Sequence, residues 1–321
     1  MKSKETCPLC HSAETKKVGF FVRKRNRRKV QRFLCHNCGK SFSSQTTSPT
    51  YRQKRPDLNA DILENISESV GIRRTALNLR TTKNTIQRKI KIIAKLCDDF
   101  HKEYFSKWKC QFDPEFQFDE MDTFEQSSIH KLRVPVLVEA KSYFIVNAFP
   151  YDEKSGSHYP FEKAKYNKEH EEEFKKRPFH IKHTLESGKK MNSKKDVKVY
   201  SDMKHGYEKY IKEVFGDDCV YVPCKASDEE EKGKLFPVNH AMACLRAEKA
   251  MLRKKSWYFC KEKDYLEDHL KIYIFHYNYF RKKGYTIGHK NGKTKVIEYM
   301  TPAQKLQIFD KEIEPKMVVG C

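Results

Sequence analysis

The chain has 321 residues, of which 38% are apolar and 34% charged, and its formal net charge is +22. Apolar stretches of about 18 uncharged residues are lacking, which excludes a membrane-embedded protein, and the 21 Phe and 17 Tyr exclude general disorder. The 11 cysteines, an odd number without a secretory signal, argue against a disulfide framework. We therefore expect a soluble cytoplasmic protein with two or three domains.

The positive charge is concentrated at the N-terminal end. Residues 1–110 contain 26 Lys or Arg but only 9 Asp or Glu, whereas the remainder is nearly balanced. This asymmetry favours a nucleic-acid-binding region followed by a globular domain. A merely solubilising surface is the alternative.

Two cysteine pairs lie in residues 1–46. Cys7 and Cys10 form CPLC, and Cys35 and Cys38 form CHNC. Two residues between paired cysteines allow one turn to present both sulfurs to an ion, so the two pairs predict a structural zinc ribbon with four thiolate ligands. Gly39 after the second pair permits a positive φ.

A β-hairpin with a basic tip is predicted between the two cysteine pairs. Its flanks are apolar, and its tip is the segment RKRNRR. The tip residues expected to contact DNA are Arg23, Lys24, Arg25, Arg27 and Arg28.

A polar linker at 47–57 precedes a predicted helix-turn-helix domain at 58–100. Apolar spacing predicts a first helix that ends at Gly71, a short second helix, and a third helix capped by Thr81 or Thr82. Its DNA-facing residues are expected to be Lys83, Asn84, Gln87 and Arg88. A small three-helix bundle could share the pattern.

Residues 112–283 are predicted to form an RNase H-like mixed sheet with flanking helices, interrupted by an insertion at about 151–196 and followed by a tail at 284–321. Three consecutive strands begin with FQFDE, and a later strand ends in Asp202. In this architecture Asp119 and Asp202 would meet at one sheet edge and hold two Mg²⁺ ions. The alternative is that both acids merely cap strand ends.

The order of these motifs, together with VNHAMACLR, RKKSW and YMTPAQKL, resembles bacterial insertion-sequence transposases of the DDE superfamily. More narrowly, it resembles the branch in which Asn often replaces the third acid. It implies catalytic Asp119, Asp202 and Asn239, all Mg²⁺ ligands, with Arg246 on the same helix face as Asn239. Glu248 is the alternative third ligand.

The resemblance implies metal-dependent strand cleavage and strand transfer at the ends of a mobile element. The expected partners are double-stranded DNA, as terminal inverted repeats and target, and further copies of this chain in a dimer or larger assembly. A non-enzymatic DNA-binding regulator descended from a transposase and an RNase H-like nuclease are the rival hypotheses.

Overall fold

The computed structural model describes residues 5–23, 27–107, 114–191, 197–225, 233–252, 260–290, 294–307 and 313–320. The chain divides into two compact units. The smaller contains residues 1–61 and 314–321, and the larger contains residues 62–313. Within the described ranges, no helix combines the length and the apolar character that a membrane crossing requires.

The smaller unit contains a three-stranded antiparallel sheet. Its strands are β1 (Thr15–Val22), β2 (Lys29–Cys35) and β3 (Ser41–Ser43), in the order β1-β2-β3. The expected hairpin is thus present as β1 and β2. Phe33 and Phe42 stack with their ring centroids 5.3 Å apart beside the cysteines, so a small apolar core forms under the sheet.

Three helices follow: α1 (Asn59–Ser67), α2 (Ile72–Asn78) and α3 (Lys83–Lys107). The Thr82 hydroxyl accepts a hydrogen bond from the Thr85 N–H at 3.2 Å, which confirms Thr82 as the cap of α3. The buried side chains follow helical spacing, with Ile86, Ile90 and Ile93 fully buried on α3. Apart from the first residues of α1, these helices belong to the larger unit.

A mixed sheet organises the larger unit. Its strands are β4 (Glu115–Glu125), β5 (His130–Glu139), β6 (Phe144–Ala148), β7 (Tyr151–Glu153), β8 (Lys198–Asp202) and β9 (Val220–Cys224). The main path runs β6-β5-β4-β8-β9, with β7 paired to β5. Strands β4, β5 and β6 are antiparallel, whereas β8 is parallel to both β4 and β9. The predicted mixed α/β class is therefore correct.

Helices complete this unit. They are α4 (Pro160–Glu169), α5 (Glu171–Lys175), α6 (Arg177–Met191), α7 (Tyr207–Phe215), α8 (Phe236–Glu248) and α9 (Lys263–Tyr279). Apolar residues of α8 and α9 pack against one sheet face, where Met121 and Val136 lie. Gly188 on α6 lies against Leu137, so close that a Cβ there would be 2.8 Å from the leucine methyl. Helix α6 of the predicted insertion therefore packs on the sheet, and β7 pairs with β5 within this sheet.

The predicted C-terminal tail contains regular structure. Strands β10 (Lys283–Lys290) and β11 (Thr294–Met300) form an antiparallel hairpin, and α10 (Pro302–Lys305) follows it. Thr301 and Gln304 form a reciprocal capping box at the start of α10. The short helix α11 (Pro315–Val319) belongs to the smaller unit.

Candidate functional site

The four N-terminal cysteines converge on one point. The Sγ atoms of Cys7 and Cys38 are 3.7 Å apart, and those of Cys10 and Cys35 are 3.5 Å apart. All four ligand atoms lie within 4.8 Å of one another. Tetrahedral zinc with Zn–S bonds of about 2.3 Å separates its sulfurs by roughly 3.8 Å, which is close to this spacing. The cluster could therefore hold a metal such as zinc.

The two cysteine turns share the same backbone geometry. The His11 N–H donates to the Cys7 carbonyl at 2.9 Å, and the Gly39 N–H donates to the Cys35 carbonyl at 3.0 Å. Both residues have a positive φ, 57° for His11 and 67° for Gly39. The positive φ expected at Gly39 is thus confirmed. Within the described part of the chain, the four cysteines are the only group of three or more His, Cys, Asp or Glu side chains placed to share a metal.

A second cluster lies at the carboxyl ends of two neighbouring parallel strands. Phe118 on β4 pairs with Ser201 on β8, so the next residue of each strand, Asp119 and Asp202, reaches the same sheet edge. One side chain bridges them: the Lys204 Nζ lies 3.0 Å from Asp119 Oδ1 and 3.1 Å from Asp202 Oδ2. The structure therefore brings the two predicted acids together around a cation.

The charges in this cluster perturb one another. Burial raises the pKa of the Asp119 carboxyl, and the nearby Asp202 carboxylate adds to the shift, while the Lys204 ammonium opposes it. Burial favours deprotonation of Lys204, but the two carboxylates outweigh it and raise the pKa of this lysine. The Asp202 Oδ1 atom is buried and accepts no hydrogen bond from the described residues. Within the described part of the chain, the edge therefore keeps a buried acceptor without a donor.

The Glu120 side chain lies on the opposite face of the sheet from Asp119, as strand alternation predicts. Its carboxylate accepts hydrogen bonds from the hydroxyls of Tyr151 and Tyr207, and it pairs with Arg133 and Arg177 at 3.3 Å each. Burial, followed by the Glu120 charge, raises the pKa of both tyrosines, so they remain protonated donors. Glu120 is therefore held by its own set of four partners.

The start of helix α8 is bound to strand β4 through Gln117. The buried Gln117 side chain, two residues before Asp119 on the same strand face, accepts a hydrogen bond from the Val238 N–H at 3.0 Å and donates to the Lys234 carbonyl. Val238, Ala241 and Leu245 of α8 are buried against the sheet. Gln117 thus fixes the first turn of α8 on the strand that carries Asp119.

The proposed third ligands lie on α8 in different surroundings. Asn239 is exposed, and within the described residues its amide makes no hydrogen bond to Asp119 or Asp202. Arg246 is half-buried two turns further on. Glu248 is paired with Arg281 near the C-terminal end of α9. The structure therefore does not join either candidate ligand to the Asp119–Asp202 pair.

The predicted DNA-reading residues of α3 lie on one exposed face. Lys83, Asn84, Gln87 and Arg88 are all exposed, whereas Ile86 between them is fully buried. Arg73 and Arg74 on α2 are exposed as well. The exposed face of α3 thus carries two basic side chains, Lys83 and Arg88, and two amides, Asn84 and Gln87.

The basic tip is described in part. Arg23, Arg27 and Arg28 are exposed, and the Arg27 N–H donates to the Arg23 carbonyl at 2.9 Å, closing the hairpin turn. Lys24 and Arg25 lie outside the described residues.

Sequence reasoning missed Lys204 and Gln117. Each is a single polar residue without a motif spacing, and its role depends on the strand pairing that places it. The only available signal was position: Lys204 is two residues after Asp202, and Gln117 is two residues before Asp119.

No protein-family model matches the chain, and a search of curated proteins finds no significantly similar sequence.

Proposed function

We propose that this chain is a DNA transposase of the DDE superfamily that cleaves and transfers DNA strands with Mg²⁺. One observation carries the proposal: Asp119 and Asp202 meet at the carboxyl ends of adjacent parallel strands. The strand order, with three antiparallel strands followed by two parallel ones, supports an RNase H-like catalytic domain. In that architecture this edge is where the reaction occurs.

The residues at this edge suit a hard divalent cation. Carboxylate oxygens are preferred Mg²⁺ ligands, and the edge already attracts one positive group, the Lys204 ammonium. The buried Asp202 Oδ1, which has no donor among the described residues, fits an unfilled ligand position. Asp119 and Asp202 would hold the ion, with Asn239 as the proposed third ligand. Bound Mg²⁺ would neutralise phosphate charge and lower the pKa of the attacking hydroxyl.

Other residues of the site would hold the DNA and the helix α8 in position. Gln117 anchors the first turn of α8 on β4, which keeps the helix carrying Asn239 and Arg246 in a fixed register beside Asp119. Arg246 would bind the DNA backbone near the scissile phosphate. In phosphoryl transfer most of the rate comes from such alignment and from charge compensation.

DNA recognition is proposed for two separate surfaces. The exposed residues of α3 would read base edges in the major groove as the recognition helix of a helix-turn-helix. The zinc ribbon, stabilised by zinc on its four cysteines, would present Arg23, Arg27 and Arg28 to the phosphate backbone. Transposition joins two element ends, so we propose that the active form is a dimer or larger assembly on DNA.

The test separates chemistry from binding. Asp119→Asn and Asp202→Asn should each abolish strand cleavage of a duplex carrying the DNA that flanks the gene, while retaining wild-type affinity in a gel-shift assay. Asp122→Asn is the matched control, because Asp122 pairs with Lys131 and Arg133 rather than with the cluster. Cleavage at the wild-type rate by Asp119→Asn would refute the proposed enzyme.

A further inference from the structure

The positive group between Asp119 and Asp202 is a side chain of the protein, the Lys204 ammonium. We propose that Lys204 is a built-in counter-ion that holds the Asp119–Asp202 pair together without metal, and that a divalent cation must displace it to bridge the two carboxylates. This inference rests on the proposed function. It makes Lys204 a positioning residue that sets the metal affinity of the site.

The geometry makes the two cations competitors. The Lys204 nitrogen lies 3.0 Å from an Asp119 oxygen and 3.1 Å from an Asp202 oxygen, so it stands between the two carboxylates. Mg²⁺ binds carboxylate oxygens at about 2.0–2.1 Å. An ion bridging the same two oxygens would need the space that the ammonium fills. Both cations therefore cannot occupy the bridging position at once.

The ammonium is an incomplete partner for this edge. Two carboxylates carry two negative charges, and one lysine neutralises only one of them. Asp202 Oδ1 remains buried and without a donor among the described residues. Buried polar atoms without partners are costly, so a divalent cation that engages this oxygen gains an interaction that Lys204 does not supply. This additional interaction favours the divalent cation over the Lys204 ammonium at the edge.

Local structure places Lys204 at the edge and leaves it able to move. The strand β8 ends at Asp202, and the Tyr207 N–H closes a tight turn on the Lys204 carbonyl at 3.2 Å before α7 begins. Gly206 has a φ of 90°, a conformation that favours glycine. The Lys204 side chain is 35% exposed, so its ammonium has a path to solvent.

Tyr207 at the end of this turn packs against strand β4. The Tyr207 ring packs edge-on against Phe118, with centroids 5.0 Å apart, and its hydroxyl donates to Glu120. The Lys204 ammonium lies 5.6 Å from the centroid of the Tyr207 ring. The turn that carries this lysine is thus held against β4 through Tyr207.

The experiment measures binding of Mn²⁺ to the full zinc-loaded chain without DNA, by electron paramagnetic resonance of the free ion. Lys204→Met should bind Mn²⁺ about tenfold more tightly than wild type or better, the change expected when one charge-assisted competitor is removed. Lys209→Met is the matched control, since Lys209 is exposed on α7 and pairs with Glu213. It removes the same charge and should change the affinity less than about twofold.

Thermal melting supplies the second readout. Without metal, Lys204→Met should melt at a lower temperature than wild type because the two carboxylates then face each other unpaired, and Mn²⁺ should restore the loss. Lys204→Arg keeps the charge, so it should keep the weak Mn²⁺ affinity; this variant also guards against a folding defect in Lys204→Met.

The outcomes distinguish this inference from the proposed function. Equal Mn²⁺ affinity in wild type and Lys204→Met would overturn the role of Lys204, and the proposed enzyme would stand if Asp119→Asn still abolished Mn²⁺ binding. Failure of both proteins to bind Mn²⁺ at millimolar concentration would overturn the metal site and the inference with it.

Discussion

Glu120 should be the acid in this region on which folding depends most, although it neighbours a proposed catalytic residue. We predict that Glu120→Ala lowers the free energy of unfolding by about 3–5 kcal/mol, the range for removing one partner of a buried charge network. The Glu120 side chain is fully buried. Its substitution would leave two tyrosine hydroxyls and two guanidinium groups without their shared acceptor.

The magnitude follows from the individual contacts. A hydrogen bond to a charged group contributes about 1.5–3 kcal/mol, so the bonds from Tyr151 and Tyr207 account for most of the loss. Arg133 and Arg177 are 20% and 30% exposed, and water screens part of their attraction. Arg133 would also keep its pair with Asp122, which limits the loss on that side.

The assay is urea unfolding followed by far-UV circular dichroism on zinc-loaded protein. Asp122→Ala is the control: it removes a carboxylate from the same strand face and the same Arg133, but its side chain is 32% exposed. Exposed pairs are worth about 1 kcal/mol or less, so the control should lose no more than that. A loss below 1 kcal/mol for Glu120→Ala, or equal losses in both variants, would refute the reasoning.

Four further predictions concern the other features. Purified protein should contain one zinc per chain, and protein without zinc would contradict the metal assignment. Arg88→Ala should reduce discrimination between element ends and random DNA. Arg28→Ala should instead weaken binding to all DNA and flatten its salt dependence. An unchanged salt slope would show that the hairpin tip does not contact phosphates. Asn239→Ala should strongly reduce strand cleavage and raise its Mg²⁺ requirement, whereas Glu248→Ala should do neither. The reverse result would assign the third ligand to Glu248. Burial lowers the pKa of His269 to about 3. The unfolded chain therefore binds more protons than the folded one between about pH 3 and pH 6.5, and the free energy of unfolding should fall as the pH falls through that range, by up to about 1.4 kcal/mol per pH unit. His269→Leu should flatten this slope in urea titrations, and an unaltered slope would assign it to other groups.

Local pattern was sufficient for the cysteine turns, for a helix cap and for the facing of neighbouring strand residues. Two cysteine pairs with two-residue spacing predicted the cluster of Cys7, Cys10, Cys35 and Cys38, because a tight turn is fixed by a few neighbouring residues. Thr82 was one of the two predicted caps of α3, and the structure selects it over Thr81. Strand alternation also separated Asp119 from Glu120, since a period of two places adjacent side chains on opposite faces.

Only the tertiary structure decided which distant residues meet. Strand β8 lies parallel to β4 although about 80 residues separate them in the chain, and this pairing alone brings Asp202 beside Asp119. Lys204 then gains its position between them. The packing of α6 on the sheet at Gly188 also depends on long-range partners. Periodicity reports which face of an element is buried, but sheet order and side-chain neighbours depend on which buried faces fit together, and that is a property of the folded chain.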